Sequence, residues 1–237
     1  MKKVTKAIAA LMLAVTAMLA VGCTKSDEPG NGGGGTYNGH AYVDLGLPSG
    51  TLWATCNVGA AAPEGYGDYF AWGETQPKTT YNWSTYKYAN GNFVQLTKYC
   101  NQFGYGYNGF TDNLTVLQSG DDAATAKWGS GWCMPTREQW VELYQNTTNI
   151  WTTQNGVNGR LFTASNGNSL FLPAAGNRWY DELFVVGSNG FYWSSSLDTD
   201  YPDYARYFGF NSVDFNVRNC RRDYGLSVRA VRSAHQN

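Results

Sequence analysis

Apolar positions along the chain change their spacing repeatedly, and this spacing predicts a protein of many short strands. Runs of alternating apolar and polar residues, separated by Asn, Gly and Pro turn signals, are typical of strands in antiparallel sheets. Such runs occur at 42–47, 51–55, 160–164, 169–174, 190–196, 204–210 and 225–232. An aromatic, glycine-punctuated stretch at 65–75 predicts one further strand. Residues 76–109 have no sustained period, and we predict a long ordered loop there.

Two segments in the middle of the chain carry helical signals instead. Residues 121–128 begin with two acids, contain alanines and stop before Gly129, which is the usual order of helix start and stop signals. Residues 136–145 open with a Thr-x-x-Gln capping box, in which the side chains of Thr136 and Gln139 each satisfy a backbone N–H group. Two mid-chain helices among short strands predict an α+β fold with small antiparallel sheets and long irregular loops, because βαβ units would alternate along the chain.

The first apolar run belongs to an export signal. Three lysines precede the run at 7–21, which is too short and too rich in small residues for a comfortable membrane span. It ends in LAVGC, which resembles the lipobox of bacterial lipoproteins, so we expect a lipid on Cys23. A plain secreted protein, cleaved before an ordinary cysteine, is the alternative. Asp27 and Glu28 also resemble the acidic export tag of surface-exposed lipoproteins in the Bacteroidetes.

These features divide the chain into three predicted parts. They are a signal peptide at 1–22, a lipidated flexible tether at 23–36 and a single domain at 37–234. The tether is predicted because 24–35 is rich in glycine and has no apolar pattern. We expect the lipid to hold the protein in the outer membrane, with the domain exposed at the cell surface.

The composition limits the chemistry that the domain is expected to perform. Without the three signal lysines the chain has 14 basic and 18 acidic residues, so no basic field favours a nucleic acid partner. Only two histidines occur, His40 beside the tether and His235 near the C-terminus, and there is no Gly-x-Ser-x-Gly elbow. We therefore predict that the protein is not an enzyme and needs no cofactor.

Four cysteines of the predicted domain leave the redox state open. Cys56, Cys100, Cys133 and Cys220 can form disulfides in three pairings in an exported protein, or remain thiols. No Cys-x-x-Cys or Cys/His spacing is typical of zinc, so no metal site is predicted.

The polar tract at 197–224 is the strongest candidate for function. It is rich in Tyr, Asp, Asn and Arg, the side chains that dominate evolved recognition surfaces such as antibody paratopes. Ala205, Phe208 and Phe210 step by three and then two, which predicts a bulged strand with these three side chains inward. Their neighbours Tyr204, Arg206, Tyr207 and Asn211 are then predicted to face outward. A solvated loop is the alternative for the tract.

Several short motifs, in matching order, resemble the fibrobacter major paralogous domain, which is abundant in Bacteroidetes lipoproteins. They are DLGLPSGTLWATCNVG at 44–59, YGDYFAWGE at 66–74, WGSGWCMPT at 128–136, FLPAAG at 171–176, YWSS at 192–195 and GLSVRAV at 225–231. The resemblance covers nearly all of 40–232. It implies a C-type-lectin-like fold with two helices, a small antiparallel sheet, long irregular loops and chain termini that lie close together.

A subset of such lectin-like proteins are targets of diversity-generating retroelements, which rewrite C-terminal positions and leave scaffold residues fixed. By this resemblance the scaffold would include Trp193, Ala205, Phe208, Phe210, Gly225 and Val228. An exposed Cys220 would suit a rewritten position. The chain lacks the Glu-Pro-Asn and Trp-Asn-Asp signatures of calcium-dependent sugar-binding lectins. With Asn211 added from the strand phase, the predicted ligand-binding positions are Asp198, Asp200, Tyr201, Asp203, Tyr204, Arg206, Tyr207, Asn211, Asn216, Arg218, Asn219, Arg221, Asp223 and Tyr224.

The sequence therefore predicts an adhesin-like or receptor-like surface lipoprotein. Its ligand would be a protein or a carbohydrate on another cell, a phage or a host surface. Two alternatives stay open: a structural or pilus-associated subunit of the cell surface, and an enzyme that acts on surface polysaccharide through a pair of acids.

Overall fold

The computed structural model describes residues 33–234. The predicted signal peptide, Cys23, the part of the predicted tether up to residue 32, and His235 lie outside the described residues. Four strands come first along the described chain, then the two α-helices, then ten further strands. The strands are β1 (Gly34–Tyr37), β2 (His40–Asp44), β3 (Thr51–Asn57), β4 (Tyr69–Phe70), β5 (Thr147–Gln154), β6 (Val157–Ala164), β7 (Ser169–Pro173), β8 (Asn177–Trp179), β9 (Glu182–Phe184), β10 (Gly190–Leu197), β11 (Tyr204–Phe210), β12 (Phe215–Arg221), β13 (Leu226–Ser227) and β14 (Arg229–Ser233), and the helices are α1 (Ala123–Trp128) and α2 (Arg137–Gln145).

Most of the strand predictions are confirmed in position, but several strands were missed. β11 has its predicted range, and β2, β3, β6, β7 and β10 overlap theirs. The predicted strand at 65–75 is reduced to β4, and the predicted strand at 225–232 is divided into β13 and β14. The sequence did not predict β1, β5, β8, β9 or β12. β1 begins at Gly34, inside the segment predicted as tether, because Gly34 to Tyr37 pair with β2.

Both helices are confirmed, and α2 has the predicted capping box. α2 starts after Thr136, whose side chain accepts a hydrogen bond from the N–H of Gln139, while the Gln139 side chain accepts one from the N–H of Thr136. α1 starts two residues later than predicted because Asp122 is its N-cap and accepts from the N–H of Thr125. These caps satisfy backbone donors that a helix start leaves unpaired.

Four small sheets of mainly antiparallel pairs organise the described chain. Their strand orders are β1-β2-β3-β14, β12-β11-β10-β13-β4, β5-β6-β7 and β8-β9. Because β14 pairs with β3, the first and last described strands share one sheet. The α+β class with small antiparallel sheets and two helices is therefore confirmed.

The hydrophobic core consists of two clusters, and β11 contributes to both. The first cluster contains Trp72, Trp193 and Leu226 with Ala205 and Tyr207 of β11. The second cluster contains Trp53, Trp140 and Phe162 with Phe208 and Phe210 of β11. Since successive side chains of a strand point to opposite faces, β11 is a central strand that is covered on both faces.

No disulfide joins the four cysteines of the described domain. Cys100 is buried, and its thiol donates to the backbone oxygen of Gln102 at 3.2 Å. Cys220 was predicted to be exposed, and this is wrong: it is half-buried and packs against the first core cluster. Burial raises the pKa of the Cys220 thiol to about 12, so at neutral pH it stays protonated and poorly nucleophilic.

Candidate ligand-binding surface

The β11–β12 hairpin carries most of the predicted ligand-binding positions. Tyr204 to Phe210 pair without interruption with Arg221 to Phe215. Asn211 closes the turn, because its side-chain oxygen accepts from the N–H groups of both Val213 and Asp214 at 2.9 Å. Such side-chain to backbone bonds are the usual reason for Asn in a tight turn. Asn211 therefore has a structural role in the hairpin, whatever it contacts outside.

β12 is the outermost strand of its sheet and exposes polar side chains. Asn216, Arg218 and Asn219 are exposed, and Arg218 forms an ion pair with Asp214 across the turn. The side chain of Asn216 accepts from the N–H of Val217 at 2.8 Å. Charged side chains and occupied backbone groups discourage further strand pairing at a sheet edge. This edge is therefore suited to contacts made by side chains.

Asp198 was predicted to face a ligand, and this orientation is wrong. Its side chain is 1% exposed, and it accepts from Asn219 Nδ2 at 2.7 Å and from the N–H of Asp200 at 3.1 Å. Arg206 Nη2 lies 3.2 Å from its Oδ1. A buried carboxylate requires such partners. Asp198 therefore fixes the 198–203 loop against the hairpin, and Arg206 and Asn219 are partly committed to it.

Tyr207 was also predicted to face outward, and it is buried at 8% exposure. The predicted bulge lies in β10 and not in β11: Trp193 pairs with Tyr207 but Leu197 pairs with Ala205, so β10 holds the extra residues. The Tyr207 ring packs on Phe191 with centroids 5.6 Å apart. Burial raises the pKa of the Tyr207 hydroxyl to about 12.

Asp203 and Asp223 are two further predicted contact positions that are buried, at 7% and 0% exposure. Asp223 accepts two hydrogen bonds from Arg221, from Nη2 at 2.7 Å and from Nε at 3.0 Å. Burial lowers the pKa of Arg221, but the Asp223 carboxylate outweighs burial and the net shift is upward. Burial raises the pKa of Asp203, and its Oδ1 has no hydrogen-bond partner among the described residues.

Arg222 lies beneath the predicted ligand-binding positions, and the sequence predicted no role for it. It is fully buried, and its guanidinium donates to the backbone oxygens of Tyr99, Pro202 and Lys98 at 3.0, 2.8 and 3.0 Å and to the Tyr86 hydroxyl at 2.8 Å. It therefore connects the long loop after β4 to the loop before β11. An arginine inside a polar tract gives no sequence signal of burial, which is why sequence reasoning missed it.

Five aromatic side chains and one arginine form a continuous surface, which we call the aromatic strip. The Tyr201 and Tyr204 rings lie 6.4 Å apart, and Arg221 is the strand partner of Tyr204. The Arg221 guanidinium lies 5.5 Å from the Tyr224 ring, which stacks on Trp179 at 5.7 Å. Trp179 contacts Tyr180 at 5.0 Å. The aromatic strip consists of Tyr180, Trp179, Tyr224, Arg221, Tyr204 and Tyr201.

Trp179 and Tyr180 extend the strip beyond the segment in which the sequence predicted binding residues. They lie at the β8–β9 turn, where Tyr180 adopts a left-handed backbone with φ of 52°. Such a backbone is uncommon for a non-glycine residue and is found more often at functional sites. A run of Arg, Trp and Tyr at 178–180 beside an acidic pair was a signal that could have been used.

The loop that carries Tyr201 is fixed by side chains from the long loop after β4. Gln102 Nε2 donates to the backbone oxygens of Thr199 and Asp200 at 3.0 and 2.8 Å, and Asn101 Nδ2 donates to that of Thr199 at 2.9 Å. Tyr201 itself is 54% exposed. An exposed aromatic ring on a fixed loop loses little freedom when it binds a partner.

The structure therefore brings together only part of the predicted set. Tyr201, Tyr204, Arg221 and Tyr224 lie in the aromatic strip, with exposed Asp200 and half-buried Arg206 in the adjoining loop and strand. Asn211, Asn216 and Arg218 lie towards the turn end of the hairpin.

No family model, no curated protein and no solved structure matches the chain. Within 33–234, no group of three or more His, Cys, Asp or Glu side chains is arranged to hold a metal ion. The same residues contain no helix that is long and apolar enough to span a membrane.

Proposed function

We propose that the protein is a lipid-anchored binding protein of the cell surface, which recognises a protein or glycan ligand through the aromatic strip. The ligand would be carried by another cell, a phage or a host surface. The lipid would be attached at Cys23, and the domain would be C-type-lectin-like. Two helices, small sheets, a long loop after β4 and a sheet that holds both ends of the described chain support this fold assignment.

The observation that carries the proposal is the aromatic strip, which rests on buried, hydrogen-bonded charged side chains. Tyr, Trp and Arg dominate the energetics of recognition surfaces because they offer large contact areas with few rotatable bonds. The strip is held by Asp198, Asp223 and Arg222, each buried and each with several hydrogen bonds or an ion pair. A surface that is fixed before binding retains more of its contact energy.

The proposal is tested by binding of the purified, detergent-solubilised full chain to arrays of host and bacterial surface proteins and glycans. Any ligand is then titrated against a Tyr201→Ala/Tyr204→Ala double variant. We expect affinity to fall at least about 30-fold, as for the loss of hot-spot residues. Ile150→Ala is the control, because Ile150 is about as exposed as Tyr201 but lies on β5 in another sheet.

Unchanged affinity in the double variant, with its thermal unfolding also unchanged, would rule out the strip as the binding site. Failure of the wild-type chain to bind any array component while it assembles into large complexes on intact cells would instead favour a structural subunit.

A further inference from the structure

A separate concave site lies beside the Trp179 end of the aromatic strip. The cavity measures about 430 Å³, within the range of small-ligand pockets. Its lining includes Asp68, Tyr69, Lys78, Tyr81, Arg178 and Asp181. None of these residues belongs to the aromatic strip. Pairing of Arg178 with Gly225 and of Tyr180 with Tyr81 holds the walls of the cavity together.

Two buried tyrosines form a fixed floor. The Tyr81 hydroxyl donates to the backbone oxygen of Tyr69 at 2.6 Å, and the Tyr69 hydroxyl donates to that of Ala175. Burial raises the pKa of Tyr69 to about 12. Arg178 lies over the Tyr69 ring at 5.4 Å. Since both rings are buried and both hydroxyls are already bonded, the floor supports the cavity and orients the Arg178 guanidinium.

Several polar side chains in the cavity walls make few or no hydrogen bonds to other described residues. Among the described residues, the side chains of Asp68 and Asp181 accept no hydrogen bond, and the guanidinium of Arg178 makes one bond, of 3.5 Å, to the backbone oxygen of Asp181. Lys78 differs, because its Nζ already contacts Glu74 Oε1 at 2.9 Å and the backbone oxygen of Thr85 at 3.0 Å. The cavity therefore offers two carboxylates as hydrogen-bond acceptors and one guanidinium as a hydrogen-bond donor to a ligand.

We propose that this cavity binds a neutral saccharide unit. Sugar hydroxyl groups can donate to Asp68 and Asp181 and accept from Arg178 at the same time, because each hydroxyl is both a donor and an acceptor. The charges disfavour an anion, because two carboxylates and one guanidinium remain after Lys78 and Glu74 neutralise each other, a net charge of −1. A neutral ligand with several hydroxyl groups can bond both the carboxylates and the guanidinium, whereas an ammonium ligand can donate to the carboxylates only.

The test is saturation-transfer difference NMR on the detergent-solubilised full chain. The probes are the methyl glycosides of glucose, galactose, mannose and N-acetylglucosamine, with glucuronate and glucosamine as charged comparators. We expect at least one neutral probe to bind with a dissociation constant on the order of 1 mM. Binding of the charged comparators only, or of no probe at all, would overturn the proposal.

Two variants locate the site. Arg178→Gln and Asp181→Asn should each weaken binding of the neutral probe about tenfold, as expected for loss of a hydrogen bond to a charged group. Arg137→Gln is the matched control, because its side chain is half exposed on α2 and lies outside this cavity. Equal affinity in wild type and in both cavity variants would overturn the assignment.

The proposal does not depend on the function proposed for the aromatic strip, and the two fail separately. The Tyr201→Ala/Tyr204→Ala variant should keep the saccharide signal, and Arg178→Gln should keep any ligand that binds through the strip. A saccharide signal that disappears only in the tyrosine variant would place the sugar on the strip and overturn the cavity.

Discussion

β11 and β12 are two strands of one hairpin, equal in length and both of mixed composition, yet they differ completely in environment. In β11 (YARYFGF) every residue except Tyr204 and Arg206 is buried. In β12 (FNVRNCR) no residue is fully buried. The difference arises from position in the sheet, because β11 lies between β10 and β12 whereas β12 is the edge. A strand with two neighbours and two covered faces loses the apolar–polar alternation that would reveal its orientation.

The largest predicted difference compares two register partners, Phe208 of β11 and Val217 of β12. Phe208 is fully buried and stacks on Trp140 at 5.0 Å, whereas Val217 is half-buried. We expect Phe208→Ala to lower the free energy of unfolding by about 4 kcal/mol and Val217→Ala by about 1 kcal/mol. Urea denaturation of the full chain measures both. Similar costs for the two variants would contradict the central position of β11.

The next comparison sets Arg222, which is buried, against Arg218, which is exposed on β12. Arg222→Met should lower the free energy of unfolding by about 3 kcal/mol, because it leaves three backbone oxygens and a tyrosine hydroxyl without their buried donor. Hydrogen exchange at 98–102 and 198–203 should accelerate in this variant, since Arg222 connects these loops. If exchange rises uniformly over the molecule, Arg222 stabilises the domain as a whole and does not anchor the loops.

The sequence was sufficient to predict elements whose signals are local. The capping box of α2 and the range of β11 follow from neighbouring residues, and both are confirmed. Likewise, the inward positions Ala205, Phe208 and Phe210 are all buried. These predictions needed no knowledge of which strands are adjacent.

The errors concern residues whose environment depends on distant parts of the chain. Tyr207 is polar enough to suit a surface, but core residues cover its face, and Gly209 leaves room for its ring, since an added Cβ there would lie 2.7 Å from it. Asp198 is buried because Arg206 and Asn219 lie on the neighbouring strands of the hairpin. Trp179 and Tyr180 joined the candidate site through the bridge between Arg178 and Gly225, which places Trp179 on Tyr224.

A smaller change in the free energy of unfolding is expected from Asp121, a carboxylate in the interior. Asp214, by contrast, lies at the sheet edge. Burial alone would raise the pKa of Asp121, but hydrogen bonds from Lys98, Tyr88 and Tyr99 outweigh it and hold the pKa at about 2, below its ordinary value of 3.8. Asp121 should therefore contribute about 2 kcal/mol to the free energy of unfolding above pH 4. This contribution is lost as the pH falls towards 2. Chemical denaturation at pH 6 and pH 2.5 should show this loss in wild type. Asp121→Asn should show a smaller loss, and an equal loss in both would assign the acid sensitivity to other groups.

The smallest change in the free energy of unfolding is expected on β12, at the edge of the sheet. Arg218 and Asp214 form an ion pair in which both side chains are 51% exposed, and exposed pairs contribute little because water and salt screen them. Arg218→Ala should change the free energy of unfolding by less than about 0.5 kcal/mol, measured beside Asp214→Asn and the double variant. A cost above about 2 kcal/mol would show that β12 is held by its side chains and cannot vary freely. A cost near zero is what a recognition surface requires, because the residue identities on β12 can then change while β11 maintains the fold.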